Sequence, residues 1–322
     1  MYQWRRTAKL SFGIIRDSGL PEKQLNTPLH IGLVGVGLMG HGIAYNLLKK
    51  GHDLTVLEHA GNQPLNELLA LGVKTAQTPL ALAKHCQLIF IVVTGAPQVQ
   101  SVIESADGLL QGIQPGVVVV DCSTSLPDTS LRMAQLLQSR GAHFLDAPMT
   151  RLAKDAREGR LNLLVGGDIA VLERVRTVLT TFAENITHVG RVGDGHRMKL
   201  LHNFVSVGSM TLIAEAAALA RSSGMDMAAF ERVLATGGGA GIALQRLTPA
   251  MLEARNDAVP FTLANAHKDL SYYVDMAKAS GAHDAVAQSV ASTLGEQVQA
   301  GHGTLYVSAL IDQLSQGSKP QK

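Results

Sequence analysis

A glycine triplet, Gly35, Gly37 and Gly40, stands between the apolar run His30-Ile31-Gly32-Leu33-Val34 and a helical pattern over residues 39–50 that Gly51 closes. A strand turning this sharply into a helix needs the first glycine for the turn. The second lets a pyrophosphate approach the backbone, and the third lets helix and strand pack closely. The free N–H groups of the helix start then face the phosphates. G-x-G-x-x-G alone is weak, but the strand–turn–helix setting that it requires is present. Gly35, Gly37, Leu38, Met39 and Gly40 are therefore expected to hold a dinucleotide. Glu58 closes the next apolar run, residues 53–57, about 20 residues past the loop, where an acid accepts from the ribose 2′-hydroxyl of NAD and repels the 2′-phosphate of NADP. His59 beside it would favour the phosphate in part, so NAD is the expected cofactor and NADP the alternative.

Further strands are expected at 88–93, 117–120, 144–145, 162–165 and 187–189, alternating with helices at 66–71, 78–84, 97–104, 128–140 and 171–180. Residues 88–93 and 117–120 are apolar throughout, as in parallel-sheet strands covered on both faces. Alternation of this kind predicts an α/β fold, a Rossmann doubly wound parallel sheet. After Gly195 the β-branched runs end, and helical periodicity fills 196–223, 227–235, 243–253, 261–280 and 284–300. The expected organisation is an extension over residues 1–29, a Rossmann domain over 30–192 and an all-helical domain over 193–322. The helix over 196–221 is apolar around almost its whole circumference, which predicts burial on all sides, within the domain or a dimer. Glu215 inside it would then need a partner.

Several classes of function are excluded by composition. With 28 basic and 26 acidic residues the formal charge is +2, which leaves no electrostatic footprint for nucleic acid. The longest apolar stretches are strand-sized or, around 212–220, interrupted by Glu215, so no membrane span is expected. Cys86 and Cys122 read as core thiols, and the twelve histidines form no helical metal pair, so no metal is expected. Charged residues are 17% of the chain, fewer than the ~25% typical, which points to surface covered by another subunit. Residues 1–16 carry Arg5, Arg6, Lys9 and Arg16 without an acid, and Trp4. They read as a mitochondrial presequence or as a tail. The expected location is the cytoplasm, or the mitochondrial matrix if the extension is a presequence.

A second site lies in Gly193-Asp194-Gly195-His196-Arg197-Met198-Lys199-Leu200-Leu201-His202-Asn203. On a helix, positions 199, 202, 203 and 206 share a face, which gathers Lys199, His202, Asn203 and Ser206 among apolar neighbours. A lysine there loses proton affinity by desolvation and suits proton transfer near neutral pH. The alternative is a polar face turned to solvent at the domain edge.

With these residues the chain resembles the β-hydroxyacid dehydrogenases, the family that includes 3-hydroxyisobutyrate dehydrogenase and tartronate semialdehyde reductase. The likeness runs from about Ile31 to Leu314 and rests on ordered motifs: the glycine loop, Asp121-Cys122-Ser123-Thr124-Ser125-Leu126-Pro127, Asp146-Ala147-Pro148, Gly193 to Asn203, and His267-Lys268-Asp269-Leu270. It implies an active site between the two domains and a reversible hydride transfer between NAD and a short β-hydroxyacid or semialdehyde. Lys199 would move the hydroxyl proton, and Asn203 would orient that lysine or the substrate. Ser123, Thr150 and His202 would bind substrate. Val93, Thr94, Thr124 and Lys268 would touch the cofactor, with Lys268 closing the pocket. The resemblance also implies a homodimer or homotetramer.

Two departures refine these expectations. Many relatives continue Asp-Ala-Pro with Val-Ser-Gly-Gly, but this chain has Met149-Thr150-Arg151-Leu152. The arginine is similar to that of the sulfolactaldehyde reductase branch, and a guanidinium fork suits carboxylate, sulfonate or phosphate. Arg151 is thus expected to bind an anionic group of the substrate, the alternative being an ion pair with Asp155 or Glu158. His202 beside Asn203 is similar to 6-phosphogluconate dehydrogenase, but Ser206 stands where that enzyme has its acidic proton donor, which argues against decarboxylation. The glycine-rich stretch 236–241 follows a helix and reads as a helix end with a loop. A non-catalytic cofactor-binding interaction protein and an imine-reducing enzyme are the competing readings. The lysine at position 199 separates both from a dehydrogenase.

Overall fold

The computed structural model describes residues 29–316, so the expectations for the N-terminal extension, including Trp4 and its cations, lie outside the described residues. In chain order the first part comprises β1 (His30–Val34), α1 (Leu38–Lys49), β2 (Asp53–Leu57), α2 (Asn66–Ala70), β3 (Lys74–Ala76), α3 (Pro79–His85), β4 (Leu88–Ile91) and α4 (Ala96–Glu104). It continues with β5 (Val118–Asp121), α5 (Pro127–Gln138), β6 (His143–Asp146), β7 (Met149–Thr150), α6 (Ala153–Arg157), β8 (Leu161–Gly166), α7 (Ile169–Leu179) and β9 (Ala183–Gly190). The second part is helical: α8 (Asp194–Ser222), α9 (Met227–Ala235), α10 (Ile242–Glu253), α11 (Leu263–Ala279), α12 (Ala285–Gln297) and α13 (Leu310–Gln316).

Six strands lie parallel in the order β3-β2-β1-β4-β5-β6, the arrangement of two joined mononucleotide-binding halves. β4 and β5 are buried along their whole length, because successive side chains feed two cores. Phe90, Val118 and Val120 join Leu33 and Leu47 on one face. Ile89, Ile91 and Val119 join Val99 and Met133 on the other. Beyond β6 the sheet departs from the all-parallel expectation: β8 runs antiparallel to β6 and to β7, and β9 parallel to β8. A parallel crossover needs a dozen or more residues, usually a helix. Between β6 and β8 the chain builds the two-residue β7 and the five-residue α6, no full crossover helix, and so reverses direction.

α8 is 29 residues long and carries the transition between the two parts. Met210, Ala214 and Ala217 on α8 form the second core with Leu244 and Leu247 of α10, Leu263 and Leu270 of α11, Leu294 of α12 and Leu310 of α13. By length and composition this helix could cross a membrane, contrary to the expectation from Glu215, and half of its most apolar window is buried within the fold. Burial on all sides is not found within the chain. Val205 is 66% exposed, Leu212 60% and Leu219 67%, so one flank of α8 faces outward. Glu215 is exposed and needs no partner.

Candidate active site

A cleft of about 1890 Å³ opens between the sheet's C-terminal edge and the helical part. That exceeds the ~300–1,000 Å³ of ordinary ligand pockets and suits a dinucleotide with a second small molecule. The glycine loop forms one end. Gly35 has φ +96°, and a Cβ there would lie 2.1 Å from the Val92 carbonyl oxygen; a Cβ on Gly40 would lie 2.0 Å from the Gly35 carbonyl oxygen. Gly37 has nothing within 4 Å of the corresponding point, so its backbone is open for close approach. Leu38 and Met39 line the cleft beside it. The Val36 N–H donates to Asn62 Oδ1 (3.1 Å), and Asn62 Nδ2 donates to the Leu57 carbonyl (2.9 Å), which ties the loop to the end of β2. These features fit a pyrophosphate cradle.

Glu58 follows β2 directly, exposed at the cleft. Hydrogen bonds from Thr75 and then Gln77 hold its carboxyl below the usual range. The Gln77 Nε2 contact is 2.6 Å. A fixed, ionised carboxylate thus stands where a ribose hydroxyl would bind. His59 Nδ1 accepts the Gly61 N–H at 3.0 Å, so that nitrogen is engaged locally.

At the other end α8 presents Lys199, His202, Asn203 and Ser206 to the cleft. Lys199 is half-buried at its wall, and desolvation lowers its ammonium to about 8, against the pull of Asp269 and with a push from Lys268. His202 Nδ1 contacts Asn203 Oδ1 at 3.0 Å, and Asn203 Nδ2 donates to Asp269 Oδ2 at 2.6 Å. Asp269 Oδ1 pairs with Lys268 Nζ at 2.8 Å, and Lys268 Nζ donates to the Thr94 carbonyl at 2.7 Å. Tyr272 Oη accepts the Ala96 N–H at 3.2 Å. This chain of contacts runs from α8 through α11 to the loop after β4, across the place where the two parts meet. Burial holds the His202 imidazole below its usual range; Lys199 and Arg246 push the same way, against the Asn203 hydrogen bond.

Asp269, only 2% exposed, was not singled out by sequence reasoning. It could have been, since Leu263, Ala266 and Leu270 form the buried stripe of α11 and position 269 falls within it. A carboxylate on an apolar stripe marks a paired charge. The node beneath Lys199 was also missed. Gly193 starts α8 without a side-chain cap; instead Asp146, at the end of β6, accepts the Gly193 N–H (2.8 Å) and the His196 N–H (2.9 Å). His196 is fully buried, with Nε2 on the Ser123 carbonyl at 3.1 Å and Nδ1 on Ser130 Oγ at 2.6 Å. Asp121 accepts the Ser123 N–H at 2.9 Å, and burial pushes its carboxyl up.

Ser123 and Thr150 line the cleft but are almost fully buried. Ser123 Oγ accepts the Val93 N–H at 3.0 Å, and Thr150 Oγ1 accepts from Asn162 Nδ2 at 3.1 Å. Val93, Thr94 and Thr124 border the cleft where the cofactor would lie, although β4 ends at Ile91, two residues before the expected strand end. Arg151 has φ +81°, a left-handed conformation that favours glycine. Its guanidinium pairs with Glu184 of β9 and donates to the Arg160 carbonyl, so the ion pair weighed as the alternative to anion binding is made with Glu184 and not with Asp155 or Glu158. Residues 238–241 form a loop, as expected, and that loop borders the cleft.

Comparison with known proteins agrees with this geometry. The family profile of the NAD-binding domain of 6-phosphogluconate dehydrogenase matches residues 30–190. That of the NAD-binding region of NADP-dependent 3-hydroxyisobutyrate dehydrogenase matches residues 193–314. The chain is 32% identical to 2-hydroxy-3-oxopropionate reductase of Escherichia coli over 78% of its own length and 85% of that protein. It is 33% identical to the cytokine-like nuclear factor N-PAC of Xenopus tropicalis over 76% of its length, but spans only 45% of that longer protein. A solved 3-hydroxyisobutyrate dehydrogenase of Mycobacterium tuberculosis with L-serine superposes with TM-score 0.80 at 27% identity, covering 89% of this chain and 99% of that one.

Proposed function

The chain belongs to the β-hydroxyacid dehydrogenase family, and from that premise we propose that it moves a hydride between NAD(H) and a short β-hydroxyacid or semialdehyde bearing an anionic group. The carrying observation is Lys199, its ammonium lowered to about 8, in the same cleft as the glycine loop. The bound nicotinamide supplies or accepts the hydride. In oxidation the neutral Lys199 amine takes the hydroxyl proton, and in reduction the ammonium gives one to the carbonyl oxygen. Asn203, held by Asp269, orients the reacting oxygen toward Lys199. Lys268, bound to the Thr94 carbonyl and Asp269, closes the nicotinamide end. Ser123 and Thr150 border the substrate, and Glu58 sets the preference for NAD over NADP. His202, neutral near pH 7, offers a hydrogen bond without competing for the proton. The outward apolar flank of α8 supports a homo-oligomer.

The test is a screen of C3–C6 hydroxyacids, semialdehydes and sulfonates by NADH absorbance. It includes 2-hydroxy-3-oxopropionate, the compound in the name of the E. coli relative. Turnover of at least one anionic compound is expected. Similarity to N-PAC supports a second reading, a cofactor-binding interaction protein. NADH binding with no turnover across the panel would favour that reading instead.

A further inference from the structure

Arg246 lies on α10, on the flank of the helix beside the buried stripe of Leu244, Leu247 and Met251. It is half-buried and borders the same cleft as Lys199, His202 and Asn203. Other arginines held against the fold have counter-charges: Arg151 has Glu184, Arg157 has Glu67, and Arg221 has Asp312. The Arg246 guanidinium makes no ion pair or hydrogen bond with any described residue. A guanidinium that borders the cleft without a counter-charge leaves its fork of N–H donors open to an anionic ligand.

Charge at this end of the cleft favours the same conclusion. Lys199, Lys268 and Arg246 face it, while the acid among them, Asp269, is already shared between Asn203 and Lys268. Arg246 is near enough to His202 for its charge to depress that imidazole. A planar fork of N–H donors matches an oxyanion in two directions at once. Arg151, which the sequence marked for this task, already spends its Nη1 on Glu184 and the Arg160 carbonyl.

We infer that Arg246 is the receptor for the substrate's oxyanionic group, a carboxylate, sulfonate or phosphate, and thereby determines substrate specificity. The inference rests on the dehydrogenase reading of this cleft. The substrate is then an acid whose charged end lies on α10 while its reacting carbon lies against Lys199. The anion and the hydroxyl are then held by side chains of two helices that share one core, which fixes the reacting carbon relative to both.

Calorimetric titration of malonate, sulfoacetate and phosphonoacetate into the NAD-saturated full chain tests this, with malonamide as the neutral control. The wild type should bind one of the anions and not malonamide, and the preferred anion identifies the chemistry of the group. Arg246→Ala should weaken that binding by roughly 10- to 150-fold, the worth of a hydrogen bond to a charged group. Arg246→Gln, which keeps the bulk, should lose nearly as much, and Arg246→Lys should recover part. Arg151→Ala should leave anion binding within a few-fold. Lost anion binding without turnover in the hydroxyacid screen would support the anion site and count against the dehydrogenase reading. Turnover that Arg246→Ala leaves unchanged would do the reverse. No anion bound by the wild type, equal binding by Arg246→Gln, or a change confined to subunit association would overturn the inference.

Discussion

Glu58 and Lys199 sit at opposite ends of one cleft, and solvent treats them differently. Glu58 is exposed, and Thr75 and Gln77 keep its carboxyl ionised, so its influence is repulsion of a neighbouring phosphate. Glu58→Ala should narrow the preference for NAD over NADP several-fold in kcat/KM; an unchanged ratio would mean that another group selects the cofactor. Helical spacing puts Lys199 and Asn203 on one face, because i and i+4 align, and the family resemblance supplied their expected roles. Arg246 was not legible, since a missing counter-charge cannot be seen along a chain. The ion pair of Arg151 was hidden for the same reason: Glu184, its partner, is distant in sequence and arrives only when β9 pairs with β8. Whether a charge is free or spent is a tertiary property.

At the scale of elements, the start of α8 depends on a strand outside its own part of the fold. Asp146 accepts two N–H groups that the helix geometry leaves without partners. A buried N–H without an acceptor costs ~1–3 kcal/mol, so Asp146→Ala should lower the unfolding free energy by about 2–6 kcal/mol in urea titration. A loss below ~1 kcal/mol would show that water replaces the carboxylate. Long apolar strands such as β4 and β5 were readable because covering on both faces writes a continuous hydrophobic run. β3 and β7 were not: three and two residues carry no period, and β3 is a polar edge. α6 and α13 were missed as well, although α2 and α3, of the same lengths, were read. β9 was expected over only three residues because its burial does not alternate, though it spans eight.

For the whole molecule, the cleft exists because α8 is rooted in the sheet and crossed by α10 and α11, so that Lys199 faces the glycine loop. Val205, Leu212 and Leu219 are exposed apolar side chains on α8, the first two bordering the cleft, and sedimentation should find a dimer or larger species. A monomer at micromolar concentration would argue against that. Proton transfer at Lys199 is the centre of the proposed function, and the pH dependence of kcat/KM in both reaction directions tests it most directly. Hydroxyacid oxidation needs the neutral amine, so its rate should rise about tenfold per pH unit and level off above about 8. Carbonyl reduction needs the ammonium, so its rate should fall above that same pH. In Lys199→Ala the inflection should vanish, along with ~10²–10⁴ of the rate. An inflection near pH 8 that survives in Lys199→Ala, with most of the activity retained, would contradict the account.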